Sequence, residues 1–386
     1  MHYEKLYKRT VTGAIQVWWL ELDEGDIDTL GGRYRTHSGQ DGGKIVTSEW
    51  TRAKPKNVGR GNETTALQQA HLEIDAHYSK KKKAYSVTLE TAHDLVRFTP
   101  MLAKSFEDYV GRVTFCFENK LPVWAQPKLD GIRCVATKDG LFTRTGERIV
   151  SCPHIEEMLR PIFELFPDLV IDGELYNHQF KEDFNEIVSM VKKVKPSAAH
   201  LLKTAELVQY HIYDTVCPGD ISARLRYTEY YVGLAGAVFG GPGAIQIVRT
   251  DAVPTRGRLD ALYSAWLDEG YEGQMVRLAG EYEQKRSSIL LKRKEFTDSE
   301  FEILEILEGE GNSSGGARIA WLKLDTDPTK KFKADIVGTY AERQEVWVNP
   351  NQWIGKMATV KYFKQRTPAG IPRFAKLKTA HMKERW

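Results

Sequence analysis

The chain has few of the features that mark secreted, zinc-ribbon and membrane proteins. Its 386 residues include four cysteines (Cys116, Cys134, Cys152 and Cys217), and no two of them form a C-x-x-C pair. This spacing excludes a four-cysteine zinc site and argues against a disulfide framework, so reduced thiols are expected. Nowhere do about 18 apolar residues follow one another without a charge, which excludes a membrane-spanning helix. We therefore expect an intracellular, cytoplasmic protein that does not bind membranes.

A strong excess of one charge is also missing. Lys and Arg total 55 against 52 Asp and Glu, so affinity for a polyanion has to come from local clusters. One cluster lies at the C-terminal end, where residues 351–386 contain nine basic residues and one acidic residue. Such a segment predicts a surface that contacts a polyanion, and a solvated face is the alternative.

Length and patterning predict a multidomain α+β protein. Residues 1–97 contain β-rich runs and then a helical pattern at residues 64–78, which predicts a small α+β domain. Residues 98–296 alternate strand-like and helix-like runs, with candidate helices at residues 152–166 and 256–269, and predict a mixed α/β domain. Residues 297–386 hold short strand-like runs separated by Gly and Pro, the spacing of a small β-barrel.

Five short motifs follow one another in the middle of the chain. They are KLDGIR at residues 128–133, RTG at 144–146, DGE at 172–174, EGQMVR at 272–277 and LKRK at 291–294. A single K-x-D-G occurs often by chance, so the ordered set carries the signal. The set resembles the covalent nucleotidyltransferases: DNA ligases, RNA ligases and mRNA capping enzymes.

The chemistry that such a set performs is phosphoryl transfer through a lysine, here Lys128. A lysine amine is a nucleophile only when it is neutral, and its ordinary pKa near 10.4 keeps it protonated at pH 7. Lys292 and Lys294 alternate along a strand and are expected to hold the nucleotide phosphate beside Lys128. With Arg277 as a third cation, they are expected to lower the pKa of Lys128.

Two glutamates are candidates to bind a metal ion. Glu174 and Glu272 belong to different strands, and we expect them to converge on one Mg²⁺, a cation that prefers oxygen ligands. The ion would neutralise phosphate charge and orient the pyrophosphate leaving group. The alternative is that each carboxylate pairs with a lysine at a strand end.

The resemblance also implies how a nucleotide binds. Tyr213 matches the family position that stacks on the base, although a lone aromatic in a strand is more often part of the core. Gln126 matches the position next to the exocyclic amine of adenine. Arg133 and Arg144 are candidates to bind the ribose and the 5′-phosphate of a nick.

About three quarters of the chain, from Pro100 onward, is similar to ATP-dependent DNA ligases. The similarity rests on PMLA at residues 100–103, AQPKLDG at 125–131, ATVKYF at 358–363 and GIPRF at 370–374. It implies an adenylation domain at residues 98–296, an OB-fold at 297–386, the cofactors ATP and Mg²⁺, and nicked duplex DNA as the partner of a monomer. The family's closing R-x-D-K element is missing, with Lys378 or Lys383 as a substitute.

Residues 1–97 lie outside that pattern and contain Arg33, Lys44, Trp50, KNVGR at residues 56–60 and NETT at residues 62–65. On these residues the segment weakly resembles the WGR domain, a module that contacts DNA ends. The functional interpretation is a clamp beside the nick, and a purely structural domain is the alternative. The basic residues assigned to DNA are Lys44, Arg52, Lys54, Lys56 and Arg60 here, and Lys361, Lys364, Arg366 and Arg373 at the other end of the chain.

The resemblance implies an enzyme that seals DNA nicks during repair, replication or recombination, in a DNA-containing compartment. Lys128 would receive AMP from ATP, and AMP would pass to the 5′-phosphate before the 3′-hydroxyl attacks. An RNA ligase or a capping-type enzyme would use the same lysine. An inactive DNA-end-binding protein is the third possibility.

Overall fold

The structure, a computed structural model, describes residues 2–10, 13–25, 32–82, 84–94, 98–239, 243–364 and 366–379. It divides into two compact units: residues 1–97, 298–361 and 374–386 form the first, and residues 98–297 and 362–373 form the second. The predicted boundaries at residues 97 and 296 stay a prediction, because the first unit combines both ends of the chain. No helix within the described ranges is long and apolar enough to cross a bilayer.

The N-terminal residues form an antiparallel sheet with a helix on one face. The strands are β1 (Leu6–Arg9), β2 (Ile15–Asp23), β3 (Arg33–Gln40), β4 (Ile45–Thr47) and β5 (Thr51–Arg52), and the helices are α1 (Ala66–Lys82) and α2 (Leu89–Asp94). Along β2, Trp18, Leu20 and Leu22 project to one side and pack with Ala70 and Ile74 of α1. The predicted order of strands followed by a helix is confirmed.

The second unit contains two five-stranded sheets. The strands are β6 (Leu102–Ser105), β7 (Val123–Lys128), β8 (Ile132–Thr137), β9 (Gly140–Thr143), β10 (Ile171–Tyr176), β11 (Gln209–Thr215), β12 (Ile245–Ile247), β13 (Asp251–Ala252), β14 (Gly273–Leu278) and β15 (Arg286–Lys294). The first sheet has the order β12-β11-β10-β8-β9, and the second has the order β13-β7-β14-β15-β6. Neighbouring strands are mostly antiparallel.

Helices cover one face of each of these two sheets. They are α3 (Val110–Glu118), α4 (Pro153–Leu165), α5 (Phe184–Val191), α6 (Ala198–Leu207), α7 (Ile221–Phe239) and α8 (Arg256–Asp268). α4 begins with a proline, which suits the first helical position, and the Thr255 hydroxyl caps α8 by accepting from the Arg258 amide at 3.2 Å. The helices predicted at residues 152–166 and 256–269 are confirmed.

The alternation of side chains separates a core face from a polar face in both sheets. Val123 and Ala125 of β7 lie in the core with residues of α3 and α8, so Gln126 and Lys128 belong to the other face. In the first sheet, Ile171 and Leu175 of β10 lie in the core, so Glu174 belongs to the opposite face. The motif residues therefore sit on the faces that the helices do not cover.

A closed five-stranded barrel follows, which confirms the predicted barrel. Its strands are β16 (Phe296–Glu308), β17 (Ala317–Lys323), β18 (Lys331–Val337), β19 (Met357–Phe363) and β20 (Arg373–Lys378), in the order β16-β17-β18-β20-β19. The helix α9 (Tyr340–Val348) starts with a capping box made by Thr339 and Glu342.

Candidate active site

The polar faces of the two sheets in the second unit face each other and bring the motif residues together. Gln126 and Lys128 project from β7 of one sheet. Glu174 on β10 and Tyr213 on β11 come from the other sheet. Nε2 of Gln126 donates to the backbone oxygen of Tyr213 at 3.2 Å and so connects the two sheets.

Lys128, Glu272 and Lys294 form a cluster of three charged side chains. Its Nζ pairs with one carboxylate oxygen of Glu272, and Nζ of Lys294 pairs with the other oxygen. Burial disfavours the ammonium form, but the carboxylates of Glu272 and Glu174 outweigh burial and raise the pKa of Lys128 above its ordinary value. The prediction that neighbouring cations and a metal together lower this pKa stays a prediction, and in this structure the charge nearest to Nζ is the carboxylate of Glu272.

The same cluster has an excess of one positive charge. Burial opposes ionisation of Glu272, but Lys128 and Lys294 outweigh it and lower the pKa of Glu272. Burial and the charge of Lys128 lower the pKa of Lys294. Lys292 lies two residues before Lys294 on β15 and is partly exposed. One carboxylate between two ammonium groups leaves a net positive charge beside Lys128, which suits a phosphate.

Glu174 belongs to the opposite sheet and is short of positive charge. The hydroxyl of Tyr213 donates to its carboxylate at 3.5 Å. Burial raises the pKa of Glu174 to about 7, and the charges of Lys128 and Arg133 lower it only in part. Because burial disfavours the charged form of Glu174, a cation that binds to its carboxylate stabilises that form.

The close approach of Lys128 and Lys294 depends on a glycine between them. Gly273 on β14 pairs in register with Lys128 on β7 and with Lys294 on β15. Its φ is +153°, and a Cβ at this position would overlap the carbonyl oxygen of Arg293. A larger residue would therefore push β15 away from β14.

Arg277 lies in a buried network of hydrogen bonds within the protein. Its Nε donates to Oε1 of Gln126 at 2.7 Å, and its other nitrogens donate to Asp214 at 2.6 Å and to the Tyr213 carbonyl at 3.2 Å. Arg224 holds the other side of Asp214 at 2.8 Å. Arg277 is 4% exposed and its guanidinium donors serve protein acceptors in this structure, so the predicted phosphate contact stays a prediction.

The two arginines predicted to bind ribose and phosphate differ in accessibility. Arg133 makes a bidentate pair with Asp172 and donates to the carbonyl of Met101 at 2.7 Å. The hydroxyl of Tyr282 donates to the same Asp172 at 2.6 Å. Arg144 is exposed in the turn after β9 and is accessible to a phosphate.

The basic residues predicted to bind DNA also divide into two groups. Lys44, Arg52, Lys54, Arg60 and Lys361 are exposed. Lys56 is exposed too and pairs with Glu73 at 3.2 Å.

The other three basic residues have partners within the second unit. Lys364 pairs with Glu295 at 2.9 Å, and the Arg366 guanidinium lies 4.9 Å from the Tyr362 ring centroid. Arg373 forms a bidentate pair with Asp130, at 2.5 and 3.0 Å. Lys378 is exposed on β20, and Lys383 lies outside the described residues.

Sequence reasoning missed several residues that support the site. They are Asp130, Asp214, Arg224, Thr250 and Tyr282. The first two had a signal, since Asp130 stands within the 128–133 motif and Asp214 directly follows Tyr213. The other three had none: Arg224 belongs to none of the motifs, and Thr250 and Tyr282 contact Gln126 and Asp172, which lie far away in the sequence.

The comparisons with known proteins point in one direction. A family model described as ATP dependent DNA ligase domain matches residues 100–294, just over half of the chain. The DNA ligase of African swine fever virus is 26% identical over 362 residues, covering 86% of this chain and 79% of that protein. The DNA ligase of Enterobacteria phage T6 is 24% identical over 287 residues, covering 62% of this chain and 59% of that protein. A solved Lig E DNA ligase structure shares the fold, with a TM-score of 0.56 and 22% identity over 73% of this chain and 98% of that chain.

Proposed function

Because the chain belongs to the ATP-dependent DNA ligase family, whose members form phosphodiester bonds, we propose that it seals DNA nicks with Lys128 as the nucleophile. The observation that carries this assignment is the cluster in which Lys128 and Lys294 flank Glu272, with Glu174 on the facing sheet. The cluster combines an amine, a second cation and carboxylates, the groups that phosphoryl transfer to a lysine requires.

The reaction has three steps. Nζ of Lys128 bonds to the α-phosphorus of ATP, and the bond from that phosphorus to the bridging oxygen breaks, which releases pyrophosphate. An oxygen of the nick's 5′-phosphate then attacks the same phosphorus, and the nitrogen–phosphorus bond breaks and restores the amine. Finally the 3′-hydroxyl attacks the activated 5′-phosphate, and AMP leaves.

Lys128 has to lose its ammonium proton before the first step. Glu272 is in contact with Nζ and is the group that can receive the proton. Once protonated, Glu272 no longer neutralises Lys294, whose charge then acts on the phosphate oxygens. The position of Lys294, on the same carboxylate as Lys128, supports this coupling.

The residues present fit Mg²⁺ at Glu174 better than at Glu272. Glu174 is a buried carboxylate with a pKa raised to about 7, so an added cation would stabilise its charged form. Glu272 is already engaged by two ammonium groups, which departs from the predicted pair of carboxylate ligands. When bound, the ion supplies positive charge to the phosphate oxygens.

The proposed contacts to the nucleotide base also come from both sheets, because Gln126 lies on β7 and Tyr213 on β11. We place the adenine at Gln126 and Tyr213, with Arg144 as the accessible arginine for the nick's 5′-phosphate. We propose a monomer as the acting unit.

The domain assignments complete the proposal. Residues 98–296 act as the adenylation domain, and residues 297–386 act as an OB-fold, supported by the closed five-stranded barrel. Residues 1–97 act as a WGR-like DNA contact, supported by the exposed Lys44, Arg52, Lys54 and Arg60.

Self-labelling tests the central claim. The protein is incubated with ATP labelled in its α-phosphate and with Mg²⁺, and the modified residue is located by mass spectrometry. We expect an AMP adduct on Lys128 and none in Lys128→Ala, because no other lysine amine lies in this cluster except Lys294, which is placed as a phosphate partner. Lys138→Ala removes an exposed lysine of the same unit and should label like the wild type.

Two outcomes would overturn the proposal. An AMP adduct that persists in Lys128→Ala would remove Lys128 as the nucleophile. Labelling by GTP in place of ATP, or joining of nicked RNA but not nicked DNA, would favour a capping-type or RNA-joining enzyme.

A further inference from the structure

His178 and Lys181, which follow β10, reach from the first sheet to the turn at the end of α8. Nε2 of His178 and Nζ of Lys181 each donate to the backbone oxygen of Glu269, both at 3.1 Å. A carbonyl oxygen only accepts, so Nε2 carries a hydrogen, and Nδ1 of the neutral imidazole accepts from the Tyr176 hydroxyl at 2.7 Å. Because α8 packs on the second sheet, these bonds connect the two sheets.

The turn that receives these donors leads directly to Glu272. The connection from α8 to β14 consists of residues 269–272. The amides of Gly270 and Tyr271 donate to carbonyl oxygens in the last turn of α8, at 3.0 and 2.9 Å, and hold the connection on the helix. The position of Glu272 therefore depends on where the Glu269 carbonyl is held.

Side-chain packing strengthens the same contact. The ring centroids of His178 and Tyr271 lie 4.5 Å apart, with the rings tilted by 36°. Lys181 extends over Gly270, where a Cβ would come within 2.7 Å of its Cδ atom. Both side chains thus touch the turn through apolar atoms as well as through their donors.

The other end of this contact lies beside Glu174. Tyr176, whose hydroxyl donates to His178, is 2% exposed and follows Glu174 by two residues on β10. Residues two apart on a strand share one face of the sheet. We call Tyr176, His178 and Lys181 the brace, since they connect the strand of Glu174 with the turn before Glu272.

We propose that His178 and Lys181 are positioning residues for the adenylation of Lys128. They act by fixing the turn before Glu272 against the sheet that carries Tyr213. The inference rests on the proposed function, in which Tyr213 holds the base of ATP and Glu272 receives the proton of the attacking amine. A change in the spacing of the sheets moves the amine and its proton acceptor relative to bound ATP, and about 1 Å of misplacement costs up to about a hundredfold in rate.

His200 provides a matched control within the same unit. Its Nε2 also bonds to a backbone carbonyl, that of Met190 at 2.9 Å, and both residues belong to helices beside the first sheet. His200→Phe therefore removes a bond of the same kind as His178→Phe without touching the connection between the sheets. Lys203→Met likewise matches Lys181→Met, because Lys203 pairs with a carboxylate of the neighbouring helix.

Single-turnover AMP labelling of the full-length protein, with ATP binding measured by calorimetry in magnesium-free buffer, tests the proposal. His178→Phe keeps a ring beside Tyr271 but loses both hydrogen bonds, and Lys181→Met keeps the aliphatic chain but loses the donor. We expect each to lower the labelling rate at saturating ATP about tenfold, and the double variant to lower it further. ATP affinity should change less than about threefold, because the bond between Gln126 and Tyr213 still joins the sheets at the proposed base position.

Conservative variants distinguish the hydrogen bonds from packing. His178→Gln places an amide nitrogen near the position of Nε2, and Lys181→Arg keeps a cationic donor, so both should retain most of the wild-type rate. His200→Phe and Lys203→Met should label like the wild type even where thermal unfolding shows that they are as destabilised as the brace variants.

The outcomes separate this inference from the proposed function. A wild-type labelling rate in the double variant would overturn the inference, as would a loss in His200→Phe as large as in His178→Phe. Rates in both conservative variants as low as in His178→Phe and Lys181→Met would also overturn it, and so would a fall in ATP affinity that accounts for the whole fall in rate. If the wild type itself forms no adduct on Lys128, the proposed function fails and the inference falls with it, whereas the other results leave the proposed function standing.

Discussion

At the scale of single residues, the charge state of Lys128 is decided by its neighbours. Burial alone would favour the neutral amine, but the contact with Glu272 and the field of Glu174 favour the ammonium. The raised pKa favours the ammonium form of Lys128, which is not nucleophilic. The proposed reaction requires that this ammonium lose a proton, for which Glu272 is the group in contact with Nζ.

The pH dependence of Lys128 reactivity should shift when Glu272 loses its charge. Glu272→Gln removes the carboxylate that contributes most to raising the pKa of Lys128, so burial, which lowers this pKa, is opposed only by the more weakly acting Glu174 and Asp130. The half-maximal rate of Lys128 modification by an amine-directed reagent should therefore move to lower pH. The measurement is quantitative mass spectrometry of Lys128 across a pH series.

Glu295→Gln is the control for this experiment, since Glu295 pairs with the exposed Lys364 and is not among the groups that shift Lys128. Its pH profile should match the wild type. A Glu272→Gln profile that coincides with the wild type, or moves to higher pH, would contradict the account of the cluster.

At the scale of elements, the site depends on how closely three strands pass one another. Lys128, Gly273 and Lys294 lie side by side on β7, β14 and β15. The spacing between neighbouring strands is under 5 Å, so side chains from β7 and β15 can reach one carboxylate across β14. Gly273 permits this approach at the point where any Cβ would meet the backbone of β15.

Gly273→Ala should destabilise the second unit by more than about 2 kcal/mol and reduce self-labelling, because the clash with the Arg293 carbonyl displaces β15 and with it Lys294. Gly257→Ala is the control, since Gly257 lies in α8 and a Cβ there meets no atom within 4 Å. That variant should gain about 0.5–1 kcal/mol from helix propensity. The measurements are thermal unfolding and AMP labelling of both variants. Equal stability of Gly273→Ala and Gly257→Ala would contradict the argument that Gly273 sets the spacing of β14 and β15.

Local patterns allowed much of this element structure to be predicted. The helices α4 and α8 follow from a Pro start, an N-cap and apolar periodicity, and the barrel follows from short β-rich runs. Which strands pair could not be predicted, because β7 meets β14 only after about 150 residues of intervening chain. For the same reason Lys128 and Glu174 were identifiable from motifs, whereas the role of Arg277 depended on its contacts with Gln126 and Asp214.

At the scale of the whole molecule, the net charge is close to zero although basic residues are concentrated in one exposed stretch. The formal charge is +3, yet Lys44, Arg52, Lys54, Lys56 and Arg60 lie exposed within a short stretch of the first unit. Each phosphate contact releases counterions from DNA, so a stretch that contacts phosphates makes the affinity for DNA fall more steeply as the salt concentration rises.

Replacing these five residues with Gln in the full-length protein should weaken binding to nicked DNA and make its salt dependence shallower. The slope of log affinity against log salt should fall by about 0.9 for each phosphate contact that is lost. Self-labelling with ATP should be retained, since the motif residues lie in the second unit. Fluorescence anisotropy with nicked DNA over a salt series provides the measurement.

A control of equal charge change replaces five exposed basic residues of the second unit, namely Lys138, Arg160, Lys192, Lys193 and Lys195. This variant should retain more of the wild-type slope than the variant of the first unit. If both variants lose the same slope, the effect is one of net charge, and the assignment of residues 1–97 to DNA contact does not hold.

Lys128 and Glu272 are joined by two separate interactions, a backbone hydrogen bond and a side-chain ion pair, and amide-proton exchange can distinguish them. The backbone N–H of Glu272 donates to the carbonyl of Lys128 at 3.0 Å, while the side chains of the same two residues form the ion pair. An adenylyl group on Nζ removes the ion pair but leaves the backbone bond in place. The exchange rate of that one amide therefore reports whether the sheet around the nucleophile opens during turnover or only its side chains move.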